Sequence, residues 1–217
     1  MTPEPVMEQS WQRLLSGVRA FRRDVFPAQR AVYESIASGQ SPHTLFITCA
    51  DSRVDPELLT QAGPGELFVT RNIGNIVPGY GEMLGGVSAV IEFAVVALGV
   101  HHIVVCGHAD CGAMKGLRNP QSVSGMKTVG LWLQNAAAAL SVVEAREPGA
   151  PPEVFQERLI EANVLLQLDH LRTHPSVAGQ LARGQLALHG WVYDIGTGTV
   201  RMHDPALGRF DPLNNDQ

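Results

Sequence analysis

Apolar positions along the chain recur with two different periods. Trp11, Leu14, Val18, Phe21 and Val25 return at spacings of three and four, the mark of an amphipathic helix, and Arg13, Arg19, Arg22 and Arg23 lie on or beside its other face. A second, short helix over 28–38 ends at Gly39, a residue suited to a left-handed cap. Residues 44–49 then form an apolar run, the pattern of a buried strand, ending in Cys49. Asp55 and Pro56 read as the N-cap and first residue of a short helix that Gly63, Pro64 and Gly65 close. A strand over 66–71 leads into a glycine-bearing loop over 72–81, long enough to suggest a functional role. Val87, Val90, Ile91, Ala94, Val95 and Leu98 follow one face of a helix that Gly99 caps, and the chain passes directly into an apolar strand from His102 to Gly107. Strand, helix and strand in this order make a βαβ unit, which implies parallel strands and a right-handed crossover.

The second half alternates less. Helices are expected over 125–145 and 153–173, separated by the Pro/Gly-rich stretch 147–152 and stopped by His174-Pro175. A strand over 186–195 turns at Gly196-Thr197-Gly198 into a hairpin partner over 199–203, and beyond Pro205 the polar tail is expected to be poorly ordered. The fold expected is therefore α/β: a mostly parallel central sheet flanked by helices, with a protruding N-terminal helix. One domain is expected over 1–217, made of a helical arm over about 5–38, a core over about 43–120, and a helical and C-terminal strand part over about 125–205.

Composition narrows the function classes. With 45% hydrophobic residues in 217, the chain can bury a sizeable core. Its net charge of −5 gives no general attraction to nucleic acid or anionic membranes. The apolar stretch from Val87 to Val100 is too short to span a bilayer and contains Glu92. Three cysteines without a framework spacing point to a reducing compartment, and the N-terminus has no secretory pattern, so a cytoplasmic location is expected. Cys106, in the middle of a strand, reads as a small buried hydrophobe.

The candidate chemistry sits at two strand ends. One strand delivers His108 and, three residues on, Cys111; another ends in Cys49, Asp51 and Arg53, which alternation along an extended chain would point to one side. Laid side by side in a parallel sheet, whose ligands bind at the carboxyl ends of strands, these would gather Cys49, Asp51, His108 and Cys111 around one point. Two thiolates, an imidazole and a carboxylate suit zinc. The spacing is not that of a closed structural zinc knuckle, and Arg53 is placed to compete for Asp51 as a bidentate partner, leaving a metal position for water. That pair makes a non-catalytic zinc scaffold the weaker reading. His101 and His102 read as solvated or capping residues, His189 as a hydrogen-bonded core residue, and Arg71 as an interface or sheet-end ion-pair residue.

Cys49-Ala-Asp51-Ser-Arg53, Gly65-Glu-Leu-Phe-Val-Thr-Arg71-Asn72 and Gly107-His108-x-x-Cys111-Gly112 closely resemble the signatures of β-class carbonic anhydrases, from about Val25 to His203. The resemblance implies Zn(2+) on Cys49, Asp51, His108 and Cys111, an Asp51–Arg53 catalytic dyad, a substrate-orienting Gln40, and apolar pocket positions at Phe68 and Ile73. Phe93 stands where related members often carry Tyr, so no hydroxyl is expected there. Arg71 and Tyr193 resemble two members of a bicarbonate regulatory site, but Phe46 holds the position of its Trp, so that site is not expected. The resemblance also implies homodimers or homotetramers in which the N-terminal helix finds its partner.

The expected activity is reversible hydration of carbon dioxide to bicarbonate and a proton. Transfer of Asp51 from zinc to Arg53 would restore the acidity of a bound water, Phe68, Ile73 and Phe93 would line a pocket for a small neutral gas, and Gln40 with the Gly112 backbone N–H would bond the developing oxyanion. Hydrolysis of carbonyl sulfide on the same zinc ligands is the alternative that motifs alone leave open.

Overall fold

The computed structural model describes residues 3–81 and 84–213, side chains from residue 6 onward, and these fall into two compact units, Met1–Gln40 and Ser41–Gln217. In the first, α1 (Pro3–Ala20) continues through a π-helical turn, Phe21–Val25, and a short helical step, Phe26–Ala28, before α2 (Arg30–Ile36). The rings of Phe21, Phe26 and Tyr33 pack together with centroids 5.3–6.2 Å apart. The apolar stripe of α1 is present, and Trp11, Leu14 and Val18 are more than half exposed in the single chain.

The second unit is an α/β sandwich. Its chain order is β1 (Thr44–Cys49), α3 (Pro56–Thr60), β2 (Leu67–Asn72), α4 (Gly86–Glu92, extended by the π-helical Phe93–Ala97) and β3 (His102–His108). There follow α5 (Gly112–Arg118), α6 (Lys127–Leu133), α7 (Ala137–Arg146), α8 (Pro152–Thr173), α9 (Pro175–Ala182), β4 (Ala187–Tyr193), β5 (Val200–Asp204) and β6 (Arg209–Pro212). Among the described residues these strands form one six-stranded sheet in the order β2-β1-β3-β4-β5-β6. The first four run parallel and the last two antiparallel. Every residue of β1 is buried, as its unbroken apolar run requires when a parallel strand is covered on both faces. Asp55 caps α3 as expected, its Oδ1 accepting from Leu58 N at 3.1 Å, with Pro56 in the first turn.

Three expectations change. The helix over 125–145 is broken into α6 and α7 by a tight turn at Gln134–Ala136. His174-Pro175 ends α8 but also starts α9, because a proline at the first helical position loses no hydrogen bond that would otherwise form. The tail beyond Pro205 is not loose as far as it is described: Arg209–Pro212 pairs antiparallel with β5, while residues 214–217 lie outside the described residues.

The long helix α8 lies against β3 and β4, and glycines set how closely. A Cβ at Gly107 would meet Val164 Cγ2 at 2.9 Å, and one at Gly190 would meet Val164 Cγ1 at 2.9 Å. Val164, fully buried, is thus keyed between two neighbouring strands. Gly190→Ala is expected to destabilise the fold by about 1–3 kcal/mol through this overpacking, read by denaturant unfolding; an unchanged midpoint would show that α8 can move away without cost. The same register brings the carboxyl ends of β1, β2 and β3 together, with Cys49 opposite Asn72 and Thr48 opposite Cys106.

Candidate metal centre

Cys49 ends β1, His108 ends β3, and Cys111 is the N-cap of α5. All three are buried, and their ligand atoms lie within 4.8 Å of one another. His108 Nδ1 donates to Ala109 O at 2.8 Å, which fixes the tautomer and leaves Nε2 as the lone-pair nitrogen. That Nε2 is buried with no hydrogen-bond partner among the described residues. An unsatisfied buried acceptor costs about 1–3 kcal/mol, and a metal ion at the centre of the cluster would satisfy it. Two sulfurs and one nitrogen so placed fit zinc, and the Nδ1–carbonyl bond is the kind of support that metal-bound histidines use.

The protonation of the two thiols makes the same case. The hydrogen bond from the Cys111 thiol holds the Cys49 thiol well below its usual value, whereas the thiolate so favoured, together with burial, pushes Cys111 up. Protein groups alone therefore support one thiolate but not two adjacent ones; a divalent cation removes the conflict. Gly74 N–H adds a bond to Cys49 Sγ at 3.4 Å. Gly74 is at φ +82°, and a Cβ there would meet Ala113 Cβ at 2.9 Å, so only glycine lets this backbone approach the sulfur.

Asp51 and Arg53 meet, but not by strand alternation. β1 stops at Cys49, and residues 50–53 turn so that Asp51 Oδ1 accepts from Arg53 N at 3.0 Å and Nε at 2.9 Å while Oδ2 accepts from Nη2 at 2.8 Å. This two-toothed contact holds the Asp51 carboxyl well below the usual carboxylate range. Asp51 Oδ2 lies 3.8 Å from His108 Nε2, so the carboxylate stands beside the cluster while bonded to Arg53.

Two supports of this arrangement were not anticipated from the residues alone. Among the described residues Arg71 pairs with no carboxylate but donates to the backbone, from Nε to Cys49 O at 3.2 Å and from Nη2 to Asp51 O at 2.5 Å, pinning the turn between them. Asp110, at φ +61°, bonds Arg53 Nη1 at 3.3 Å and also pairs with Lys115. Its place between His108 and Cys111 was the available signal.

The other expected residues are more scattered. Phe68 and Phe93 pack with ring centroids 6.0 Å apart, and Phe93 is half exposed. Ile73 follows β2, part exposed, with its carbonyl taking Trp132 Nε1–H at 2.8 Å. Gly112 is the first residue of α5, where a backbone N–H has no intrahelical partner. Gln40, exposed, closes the N-terminal unit. His189 Nε2 and His102 Nδ1 bond each other at 3.1 Å, away from the cluster.

Cys106 belongs to a different face of the sheet, packed with Phe46 and Val104, and burial pushes its thiol up to about 12. Cys106→Ala is expected to leave zinc content unchanged, as measured by metal analysis; loss of zinc would assign it a part in the site.

Parallel strand ends that bring a thiol and an imidazole to one buried point, a second thiol from the helix cap beside them and an Arg-bound carboxylate alongside define a zinc enzyme of the α/β type. Comparison with known proteins makes this specific. The carbonic anhydrase family model matches residues 44–200. The chain is 50% identical over 200 residues to a carbonic anhydrase of Pseudomonas aeruginosa, covering 92% of this chain and 90% of that protein. It is 48% identical over 202 residues to carbonic anhydrase 1 of Escherichia coli O157:H7, covering 93% and 92%. Among solved structures it resembles the β-carbonic anhydrase CcaA with a TM-score of 0.92 at 42% identity, covering 94% of this chain and all of that one. It also resembles a tetrameric β-carbonic anhydrase of Sordaria macrospora, with a TM-score of 0.81 at 29% identity, covering 94% and 99%. The chain belongs to the carbonic anhydrase family, in its β class, and Cys49, His108 and Cys111 are its zinc-site triad.

Proposed function

We propose that the chain catalyses reversible hydration of carbon dioxide to bicarbonate and a proton, with Arg53 enabling turnover by holding Asp51 off the zinc. The observation that carries the role of the pair is the three-bond contact between Asp51 and Arg53 beside the ligand cluster. Zinc on Cys49, His108 and Cys111 supplies Lewis acidity that can bring the pKa of water from about 15.7 towards about 7. Both cysteine ligands are anionic, so a third anionic donor would work against that acidity. Asp51 would be the fourth protein donor if it turned from Arg53 towards the ion, and the Arg53 fork keeps it from doing so. Held there it stays ionised, accepts a hydrogen bond from the attacking water and orients it towards carbon dioxide. The backbone N–H of Gly112 serves the developing oxyanion, while Phe68, Ile73 and Phe93 provide the apolar wall for a neutral gas. The proton leaves to buffer.

Stopped-flow hydration of carbon dioxide by the zinc-loaded chain, run beside a carbonyl sulfide assay, tests this reading. Carbon dioxide is expected to be the faster substrate by orders of magnitude; the reverse would reassign the enzyme to thio-gas hydrolysis. Three free cysteines favour a reducing compartment, which supports the cytoplasm. The exposed Trp11, Leu14 and Val18 of α1 support a homo-oligomer, as does the likeness to a structure described as tetrameric. Light scattering is expected to give the mass of two or four chains, and a monomer would contradict it. Among the described residues no helix is long and apolar enough to cross a membrane.

A further inference from the structure

The loop after β2 is held in an unusual conformation by side chains that the catalytic reading does not use. Gly74 and Asn75 are successive left-handed residues, at φ +82° and +50°, and for Asn75 that is a disfavoured state which surrounding contacts must maintain. The contacts come from two helices. Trp132 of α6 donates from Nε1 to Ile73 O at 2.8 Å. Asn163 of α8 donates from Nδ2 to Gly74 O at 3.0 Å, and Gln167 Nε2 donates to Asn163 Oδ1 at 2.8 Å. Gln167 Oε1 accepts from Val77 N at 2.8 Å, and His170 and His174 meet the carbonyls of Val77 and Pro78. Residues 163, 167 and 170 are spaced four and three apart, so they form one polar stripe along α8, and His174 follows at its C-cap. Asn163 and Gln167 are almost wholly inaccessible to solvent.

The planarity of the peptide group gives these contacts a target. Ile73 O and Gly74 N–H belong to one rigid, trans peptide unit, so they point in opposite directions. Trp132 grips the carbonyl end, and the N–H end faces Cys49 Sγ at 3.4 Å. Asn163 grips the next peptide unit through Gly74 O, so the planes on both sides of Gly74 are fixed. A hydrogen bond to a thiolate withdraws electron density from the sulfur, and groups that orient or bond a metal ligand tune the metal.

We propose that Trp132 and Asn163 are positioning residues for the zinc thiolate: by locking the two peptide units flanking Gly74 they aim its N–H at Cys49 Sγ, and so set how strongly Cys49 donates to the metal. The inference rests on the zinc reading of Cys49, His108 and Cys111. It concerns the strength of one ligand, not the identity of the substrate.

Cobalt(II) in place of zinc reports on the sulfur directly through its thiolate-to-metal charge-transfer band. Loss of the N–H···S bond raises the energy of the sulfur lone pair, so Trp132→Phe and Asn163→Leu should each move the band to lower energy. Each should also weaken metal binding by about 10–100-fold in competition with a chromophoric chelator. Val177→Ala, which trims a buried side chain of α9, a helix that carries neither Trp132 nor Asn163, serves as the control: it should lower thermal stability and leave the band where it is. A second measurement needs no variant. In the cadmium-loaded wild-type protein, the Gly74 amide proton should show NMR scalar coupling to the metal nucleus through Cys49 sulfur. Bands identical to wild type in both folded variants, or no coupling at Gly74 in a protein that binds cadmium, would overturn the inference and leave the zinc site intact. A wild-type chain that takes up cobalt without any thiolate band would overturn the inference and the zinc reading together.

Discussion

Arg53→Ala should keep its zinc and lose carbon dioxide hydration by about 10²–10³-fold, the scale expected when a preorganised electrostatic contact is removed from a site. In the wild-type chain three bonds from Arg53 hold Asp51, and its Oδ2 already lies 3.8 Å from the ligand nitrogen of His108. Without the guanidinium nothing comparable restrains the carboxylate, and the metal is the strongest cation in reach. The fourth position then closes with an anion. Arg53→Lys should recover little, since an ammonium cannot reproduce the fork that uses both Nε and Nη2. The direction of the Asp51 shift gives a check on cause. Arg53 lowers the carboxyl below its usual range, so its removal raises that value back towards about 3.9, still well under neutral pH. The variant's Asp51 therefore remains ionised at pH 7, and the defect cannot be one of protonation. Stopped-flow rates paired with metal analysis make the measurement; near-normal turnover by a zinc-loaded Arg53→Ala protein would reject the role given to the pair.

Cys111→Ser should lose the metal itself. Zinc in an all-protein site is worth about 10–16 kcal/mol, shared among its ligands, so replacing one of three protein donors by a poor one should weaken binding by more than about 10³-fold. The structural consequence follows from burial: Cys49, His108 and Cys111 are all but inaccessible, and without a cation His108 Nε2 has no hydrogen-bond partner among the described residues. The variant should therefore unfold at a lower temperature than the zinc-loaded wild type and resemble wild type stripped by a chelator. Competition titration and calorimetry read the two effects. Cys106→Ala marks the contrast, because that thiol lies on another face of the sheet.

Much of this was legible in the residues, for identifiable reasons. The strands β1 and β3 carry long, mostly apolar runs and β2 a shorter one, Leu67–Val69, and their order with an intervening helix left little choice but parallel pairing. Because parallel strands end at a common edge, Cys49 and His108 could be placed together before any coordinates, and the observed cluster includes Cys111 as well. What escaped was set by tertiary contacts. Position 51 is brought to Arg53 by an Asx-type turn rather than an extended chain, since β1 is paired only as far as Cys49 and the backbone N–H of Arg53 then finds the Asp51 carboxylate. Arg71 looked like an ion-pair residue because its type suggests one, yet its partners are carbonyls that no local pattern reveals. The polar stripe of α8 was visible in principle at Asn163, Gln167 and His170 but was overshadowed by the apolar residues around it. β6 was missed because four residues with a single Phe carry too little periodicity; its strand character comes from the partner β5.

The central claim is that one zinc ion sits on Cys49, His108 and Cys111 while Arg53 keeps Asp51 for itself. A crystal structure of the zinc-loaded chain, grown at a pH where it turns over and phased on the metal, tests it most directly. The expected map has zinc bonded to Cys49 Sγ, His108 Nε2 and Cys111 Sγ, a solvent oxygen as fourth ligand, and Asp51 still on the Arg53 fork. Zinc bound elsewhere, or Asp51 on the metal with Arg53 turned away in the active protein, would contradict it.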